Sequence, residues 1–234
     1  MTNFPSSVDE FLNGQVFLLN KQIGWTSFDI IKKMKYLIRK KYSIKKIKIG
    51  HAGTLDPLAT GLLIVCTGKF TKKISEIQNQ EKTYTGTIQL GGSTPSYDLE
   101  TKVFQNHQTN HITEKLIIQK AKDFIGLINQ KPPIYSAIKK GGERLYAKAR
   151  RGETVNIESR LVFVREFKII YIEDLKVHFK IICSKGTYIR SIAHDFGKAL
   201  ESGGYLSKLC RISIGEYSLT NSINIKKFED LLNS

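Results

Sequence analysis

The sequence predicts an α+β fold. Some segments alternate β-branched or aromatic residues with other residues, as strands do, whereas others repeat apolar residues at helical spacing. These strands and helices follow one another without a steady βαβ repeat, which favours α+β over α/β. With 234 residues, 41% of them hydrophobic, the chain is long enough to bury a sizeable core. Because no internal repeat or domain boundary is visible, we expect one domain over residues 1–234.

The first predicted elements are a strand at residues 15–19 and a helix that runs toward Leu37. Gly24 lies in the turn between them, and Thr26 or Ser27 is placed to cap the helix. Apolar residues recur along this helix at Phe28, Ile31, Met34, Leu37 and Ile38.

A loop with the sequence GHAGTLDPLATG covers residues 50–61 and precedes the apolar strand LLIVC at residues 62–66. Its glycines, proline and small residues break regular structure. It carries one acidic residue, Asp56, between His51 and the end of the loop. An Asp-Pro pair alone usually starts a turn, so the loop by itself does not indicate catalysis.

The rest of the chain is predicted to form strands and helices around one irregular stretch. Residues 131–152 (KPPIYSAIKKGGERLYAKARRG) carry two prolines and two adjacent glycines, so we expect a mobile excursion from the core. The other predicted elements are strands at 82–90, 162–172 and 176–183, a helix at 113–125 with a Thr cap, and a helix from about 188 to 200 after a Gly186 turn.

The chain is strongly basic, with 37 Lys and Arg against 21 Asp and Glu, a net charge of +16. Such a surplus attracts polyanions, although composition alone leaves a solvated surface equally open. Two clusters interleaved with tyrosines favour an RNA surface. They comprise Lys32, Lys33, Lys35, Arg39, Lys40, Lys41, Lys45, Lys46 and Lys48, and then Lys139, Lys140, Arg144, Lys148, Arg150 and Arg151.

Three separated cysteines, Cys66, Cys183 and Cys210, lack a C-x-x-C spacing and suggest a reducing compartment. No metal-ligand grouping surrounds Asp56, so we expect no metal. No apolar stretch approaches the roughly 20 residues that span a membrane. We therefore expect a cytoplasmic protein without a membrane partner.

Five segments, in this order along the chain, resemble the transfer RNA pseudouridine-55 synthases of the TruB type. The resemblance spans nearly the whole chain, and the Asp56 loop is its most specific part. The segments are GWTS (24–27), GHAGTLDPLATG (50–61), KTYTGTIQLG (82–91), PPIYSAIKKGGERLYAKARRG (132–152) and SKGTYIRSIAHDFG (184–197).

The resemblance implies the pseudouridine synthase fold, with a central mixed, largely antiparallel sheet, flanking helices and a thumb-like insertion at about residues 132–152. Gln22 departs from the proline that the family commonly has there. The chain ends soon after Arg211, so we expect no C-terminal RNA-binding domain of the PUA type. This shortness favours a stand-alone monomer that uses no guide RNA and binds the T-arm stem-loop of tRNA.

The resemblance makes Asp56 the essential catalytic carboxylate. Pseudouridine formation breaks the bond from N1 to C1′, rotates the uracil and rejoins it through C5, so no atoms are exchanged and we expect no cofactor. The carboxylate either adds to C1′ or removes the C2′ proton to give a glycal, and the sequence leaves both routes open. Both routes require an ionised carboxylate.

Other site residues follow from the same resemblance. Arg190 is expected to keep Asp56 charged, and Tyr84 is expected to stack on the flipped base and to help move the C5 proton. For substrate binding it implies Tyr188 and His51, and it assigns His51 to stacking or hydrogen bonding. It also implies Leu209 as an apolar pocket wall. Asp98 is implied as a polar contact to the nucleotide, with a surface turn as an equal alternative. The thumb-like insertion adds the basic residues Lys139, Lys140, Arg144 and Lys148.

Two alternatives remain open. One is an RNA-binding or tRNA-folding module without catalysis, a role that can also coexist with catalysis. The other is a pseudouridine synthase that acts on a different RNA. Intact Asp56, Tyr84 and Arg190 favour an enzyme, since a pure binder has little need for a carboxylate facing polyanionic RNA.

Overall fold

A computed structural model describes residues 4–234 of the chain. Its helices are α1 Val8–Asn13, α2 Ser27–Tyr42, α3 Ile74–Asn79, α4 Glu114–Lys122, α5 Leu145–Arg150, α6 Ile189–Ala199 and α7 Ile225–Asn233. Its strands are β1 Val16–Lys21, β2 Ile49–His51, β3 Thr60–Thr67, β4 Lys82–Leu90, β5 Gly92–Ser93, β6 Gln105–Asn106, β7 Gly126–Gln130, β8 Lys139–Lys140, β9 Glu143–Arg144, β10 Arg160–Glu173, β11 Lys176–Cys183, β12 Gly204–Ile214 and β13 Tyr217–Ser218. Short 3₁₀ helices cover Gly68–Lys73 and Leu219–Asn221. The α+β class is confirmed.

The predicted helix after Gly24 is α2, and Thr26 is its N-cap. The Thr26 side chain accepts a hydrogen bond from the Asp29 backbone, and the Asp29 carboxylate accepts one from the Thr26 backbone. This reciprocal capping box satisfies two of the backbone donors that a helix start leaves without partners. Ser27 is therefore the first helical residue, and its side chain is available for another contact.

Contacts divide the chain into two compact units. The first contains residues up to Tyr84 and from Leu209 to the end, and the second contains Thr85 to Lys208. The unit boundaries fall inside two strands, β4 and β12. The single catalytic domain expected from the sequence stays a prediction.

In the first unit, β3 lies between β1 and β12. The pairing of β1 with β3 is antiparallel and runs from Val16 opposite Cys66 to Lys21 opposite Gly61, whereas β12 pairs with β3 in parallel. Helices α2 and α7 place apolar residues such as Met34 and Phe228 in a core shared with β1 and β3. This core packs against β1 and β3, and the Asp56 loop leads directly into β3.

In the second unit, the strand order is β12, β4, β11, β10, β7. Strand β10 pairs antiparallel with both β11 and β7. The ring of Phe167 packs against the rings of Phe124, Phe179 and Phe196, which joins α6 to the sheet. A Cβ on Gly197 of α6 would lie 2.1 Å from the Gly204 nitrogen, so only glycine allows this close approach.

Residues 132–152, here called the thumb segment, contain more regular structure than the sequence predicts. Strands β8 and β9 form a hairpin, and α5 follows directly. Gly141 and Gly142 form its turn with φ of +63° and +82°, a conformation that suits two-residue hairpins and favours glycine. Each strand has two residues, which is too short to show alternation in the sequence.

Candidate active site

The Asp56 loop, residues 50–61, connects β2 to β3. Asp56 is half-buried, and its carbonyl accepts a hydrogen bond of 3.0 Å from the Ala59 backbone. The Ala52 backbone donates to the Ile64 carbonyl at 2.8 Å and thereby ties the start of the loop to β3. The turn around the carboxylate is therefore defined by its own backbone, as expected for an Asp-Pro pair.

Ser27 of α2 fixes the residue next to Asp56. The Leu55 backbone nitrogen donates to Ser27 Oγ at 2.8 Å, and Ser27 Oγ donates to the Leu55 carbonyl at 3.2 Å. The Gly24 nitrogen donates to the Pro57 carbonyl at 2.9 Å. The GWTS turn thus holds the loop on both sides of Asp56.

Lys21 ends β1 and is completely buried. Its ammonium donates to the carbonyls of Gln22 at 3.1 Å, Trp25 at 2.6 Å and Pro57 at 3.3 Å. Burial lowers the pKa of Lys21 to about 8, the negative charge of Asp56 opposes that shift, and the Arg211 cation adds to it. Asp56 and Lys21 therefore favour each other's charged forms.

Arg211 of β12 is the second buried cation of the loop, with 1% of its surface exposed. Its guanidinium donates to the carbonyls of Leu62 at 2.8 Å, Gly53 at 3.0 Å and Thr54 at 3.5 Å. Hydrogen bonds from a charged donor are worth about 1.5–3 kcal/mol each. Lys21 and Arg211 together hold the loop backbone, although each cation disfavours the charged form of the other.

His51 lies half-buried at the end of β2. Burial and the Arg211 cation lower its pKa, and a hydrogen bond with the Gly53 backbone opposes them. Its Nδ1 is buried and has no hydrogen-bond partner among the described residues. A neutral imidazole fits the predicted stacking or hydrogen-bonding role better than acid–base chemistry.

Tyr84 and Leu209 complete the predicted site residues of the first unit. Tyr84 belongs to β4 and has 8% of its surface exposed. Leu209 is half-buried in β12, and its carbonyl accepts a hydrogen bond of 3.2 Å from Thr60 Oγ1. Their predicted roles, base stacking and pocket wall, stay predictions.

In the second unit, Arg190 and Asp98 form a buried ion pair. Arg190 lies in the first turn of α6 with 3% of its surface exposed, and Asp98 has 5% exposed. Their side chains approach to 3.7 Å between Nε and Oδ2, and Arg190 Nη1 donates to the Ser96 carbonyl at 3.3 Å. Burial of Asp98 does not fit the surface-turn alternative.

Tyr188 is the N-cap residue of α6, and Gln130 holds its backbone. The Tyr188 nitrogen donates to Gln130 Oε1 at 2.8 Å, and Gln130 Nε2 donates to the Tyr188 carbonyl at 3.0 Å. Arg160 lies over the Tyr188 ring, 4.9 Å from its centroid. The ring is thus fixed by a cation–π contact, which such spacing favours.

Basic residues of the thumb segment divide into exposed and ion-paired groups. Lys139, Lys140 and Arg144 lie on the hairpin with exposed side chains. Lys148 instead approaches Glu153 at 3.7 Å, and Arg150 pairs with Glu100 at 2.9 Å. The hairpin therefore carries three exposed cations, whereas Lys148 is partly neutralised by Glu153.

Five residues of the first basic cluster line a groove of about 640 Å³ in the first unit. The other four, Lys32, Lys33, Lys40 and Lys41, lie outside that lining, and Lys33 pairs with Glu229 of α7 at 3.0 Å. The groove contains no acidic residue and is lined by Leu12, Lys35, Arg39, Lys45, Lys46, Ile47, Lys48, Gly68, Lys69, Thr71 and Lys72. Lys69 and Lys72 follow β3, so sequence clustering alone did not include them.

The structure places both predicted and unpredicted residues around the Asp56 loop. His51, which the resemblance implied, lies in this loop. Lys21, Ser27 and Arg211 bind its backbone, although the motifs did not assign them to the site. Lys21 had one sequence signal, since alternation along β1 places it on the same buried face as Phe17 and Leu19. Across residues 4–234, no group of three or more His, Cys, Asp or Glu is arranged to hold a metal ion. No helix in that range is long and apolar enough to cross a membrane.

Comparison with characterised proteins gives relatives over nearly the full length. The chain is 56% identical over 225 residues to tRNA pseudouridine synthase B of Flavobacterium johnsoniae, covering 96% of this chain and 98% of the relative. It is 45% identical to the protein of the same name from Parabacteroides distasonis, covering 95% of each chain.

Two solved structures share the fold at lower identity. One, of an H/ACA RNP bound to a substrate RNA containing 2'-deoxyuridine, matches 96% of this chain with a TM-score of 0.68 and 25% identity, and the chain covers 55% of that protein. The other, a Cbf5-Nop10-Gar1 complex, matches 94% with a TM-score of 0.68 and 28% identity, and 54% of it is covered. The chain therefore spans about half the length of these proteins. The predicted pseudouridine synthase fold is confirmed.

The family of TruB pseudouridylate synthases, described by its N-terminal domain, matches residues 39–189. That range includes the Asp56 loop, Tyr84, Asp98, the thumb segment and Tyr188. Together with the full-length relatives, this match confirms the resemblance of the five segments: the chain belongs to the TruB family of pseudouridylate synthases.

Proposed function

We propose that the chain isomerises a uridine in the T-arm loop of tRNA, at position 55, to pseudouridine, with Asp56 as the catalytic carboxylate. Family membership makes the chain an isomerase, and relatives of the same length are named for tRNA. The observation that carries the assignment is the Asp56 loop, whose backbone is held by Ser27, Lys21 and Arg211. Two buried cations thus hold the backbone of the loop that carries Asp56, and one of them, Lys21, favours the charged form of its carboxylate.

The reaction needs little else from the protein. The bond from N1 to C1′ breaks, the uracil rotates, C5 bonds to C1′, and the proton on C5 is lost while N1 gains one. Substrate and product have the same atoms, so the reaction needs neither an oxidant nor a group carrier. Asp56 acts either by adding to C1′ or by removing the C2′ proton, and both routes begin from the ionised carboxylate.

The target base must leave its stack before Asp56 can reach C1′, which costs a few kcal/mol. We assign Tyr84 to contact with the extruded base, His51 and Leu209 to its surroundings, and Tyr188 to positioning of the same site. The neutral state of His51 suits a nucleotide contact. Arg190, paired with Asp98, is assigned as the cation that supports the ionised Asp56.

RNA contacts outside the loop come from the two basic surfaces. Lys139, Lys140 and Arg144 extend from the hairpin, and the groove near Lys48 presents cations without an opposing carboxylate. Contacts of this kind bind phosphates and position the RNA without reading its sequence. We propose that these surfaces suffice for a monomer to bind tRNA without a guide RNA.

A cytoplasmic location belongs to the same proposal. Cys66, Cys183 and Cys210 are all free thiols, as is usual in a reducing compartment.

Replacement of Asp56 by Asn tests the assignment, because it keeps the size of the side chain and removes its negative charge. With tRNA lacking modifications, the single-turnover rate of Asp56→Asn should fall to background while the dissociation constant for tRNA stays within about threefold, since no phosphate contact is removed. Asp174→Asn is the matched control. Asp174 is exposed with φ of +53°, a conformation that asparagine tolerates. Appreciable pseudouridine formation by Asp56→Asn would exclude Asp56 as the essential carboxylate.

A further inference from the structure

Tyr97 has a backbone conformation that is unusual for its residue type. Its φ is +65°, in the left-handed region where glycine and asparagine are common and bulky residues are rare. Backbone hydrogen bonds hold it, from Tyr97 N to the Thr94 carbonyl at 3.2 Å and from Leu206 N to the Tyr97 carbonyl at 2.9 Å. Such strained residues persist where their surroundings fix them, often beside functional sites.

The ring of Tyr97 stacks on the ring of His194 in α6. The two centroids are 3.9 Å apart, and the planes differ by 10°. His194 Nδ1 is buried without a hydrogen-bond partner in the described part of the chain, so that nitrogen does not anchor the imidazole. Burial and the Lys198 cation lower the pKa of His194, which keeps the ring neutral. The stack is therefore a contact between two flat, uncharged rings.

Both neighbours of Tyr97 in the chain contact Arg190. The Ser96 carbonyl accepts a hydrogen bond from Arg190 Nη1, and the Asp98 carboxylate lies 3.7 Å from Arg190 Nε. His194 follows Arg190 by four residues on α6, so both side chains lie on one face of that helix. Helix α6 thus carries both Arg190 and His194, whose ring stacks on Tyr97 in the turn that contacts Arg190.

We propose that Tyr97 and His194 are a pair of positioning residues that fix the turn of residues 96–98 and thereby hold the guanidinium of Arg190 in its working orientation. Removal of the stack frees the Tyr97 turn from the ring contact that joins it to α6 beside Arg190. The Ser96 carbonyl and the Asp98 carboxylate then no longer hold fixed positions around the guanidinium. This proposal rests on the proposed function, because Arg190 matters only if it supports the reaction.

Ring deletion and ring replacement separate positioning from mere folding. His194→Ala should lower the single-turnover rate roughly 10- to 100-fold, since small displacements of active-site groups have effects of that size. The dissociation constant for tRNA should change less than about threefold, because the rings contact protein and not phosphates. His194→Phe keeps a flat ring and should restore most of the rate.

A second variant guards against a folding defect. Tyr97→Gly removes the ring but suits a φ of +65°, so it relieves strain while abolishing the stack. It should be slow like His194→Ala even though it folds without strain. The matched control is His178→Ala, because His178 stacks on Tyr171 with the same geometry, 3.9 Å and 13°, in another part of the second unit. That variant should keep the wild-type rate.

The nuclear magnetic resonance signal of Arg190 Nε–H reads out positioning without any reaction. In wild type and His194→Phe it should be sharp and at the same chemical shift, whereas in His194→Ala and Tyr97→Gly it should broaden or move. An Arg190 signal unchanged in both ring deletions would overturn the proposal. So would ring deletions that keep the wild-type rate while Arg190→Met is inactive. If Arg190→Met itself were fully active, the assignment of Arg190 under the proposed function would fail, whatever the signal shows.

Discussion

At the scale of single residues, the candidate site depends on buried charges that act on one loop. Lys21 donates to three carbonyls, and Arg211 donates to three others. Burying a cation without partners is costly, but carbonyl dipoles and the Asp56 carboxylate offset that cost here. Both cations therefore stabilise the loop, and Lys21 favours the charged form of the carboxylate that we assign to catalysis.

Lys21 predicts a loss of activity at alkaline pH. Its pKa is lowered from 10.5 to about 8, so the buried amine becomes neutral as the pH rises through about 8. A neutral amine donates fewer hydrogen bonds and no longer favours an ionised Asp56. The single-turnover rate of wild type should therefore fall above about pH 8, and Lys21→Met should be slower at pH 7 but lack that decline.

The free energy of unfolding should rise over the alkaline range in which the single-turnover rate falls. Between about pH 8 and 10.5 the unfolded chain holds a proton on Lys21 that the folded chain has released, so the free energy of unfolding gains from this group as the pH rises. Denaturant unfolding of wild type and Lys21→Met across this range separates the two effects. An alkaline decline in rate that persists unchanged in Lys21→Met would assign it to another group.

Sequence motifs predicted the Asp56 loop well but missed the residues that hold it. Some positions of the loop are sterically constrained, for example Gly61, whose Cβ would lie 2.4 Å from the Arg211 carbonyl. Lys21 resembles the solvated end of a strand, and only its register with Phe17 and Leu19 indicates burial. Contacts such as Tyr97 with His194 join residues 97 positions apart in sequence, so no local pattern reports them.

At the scale of secondary structure, long elements were easier to predict than short ones. The 16-residue helix α2 has a clear cap and periodic apolar residues, whereas α5 has six residues and one buried side chain. The motifs did not predict α7, which packs Phe228 into the core of the first unit. Short elements carry too few residues to establish a period, so tertiary contacts decide them.

The hairpin of the thumb segment predicts a specific salt dependence. The triple variant Lys139→Gln, Lys140→Gln, Arg144→Gln removes three exposed cations, so the slope of log affinity for a T-arm hairpin against log salt should flatten by up to roughly 0.7–0.9 for each phosphate that the variant no longer neutralises. Stability should change by less than about 0.5 kcal/mol for each substitution, as is usual at exposed sites. Titrations at several salt concentrations measure the slope.

The control removes equal charge elsewhere in the second unit. Lys115, Lys122 and Lys168 are exposed on α4 and β10, and their replacement by Gln should leave the slope near that of wild type. Equal slopes for wild type and the hairpin variant would show that the hairpin does not bind the RNA backbone. The groove near Lys48 would then be the next surface to test.

At the scale of the whole molecule, charge and family membership support the same function. A net charge of +16 means that basic side chains outnumber carboxylates by 16. That field alone also suits an RNA-folding module, which does not require a carboxylate on a loop held by buried cations. Asp56 on its fixed loop is the feature that favours catalysis over binding alone.

Direct mapping of the modified uridine tests the assignment of position 55 as the target. Purified protein and an unmodified tRNA transcript, incubated without added cofactor, should yield pseudouridine at position 55 and no other, with release of one C5 proton per site. A transcript with cytidine at position 55 should yield none. Modification at another position, or none at position 55 in a correctly folded transcript, would exclude the proposed function.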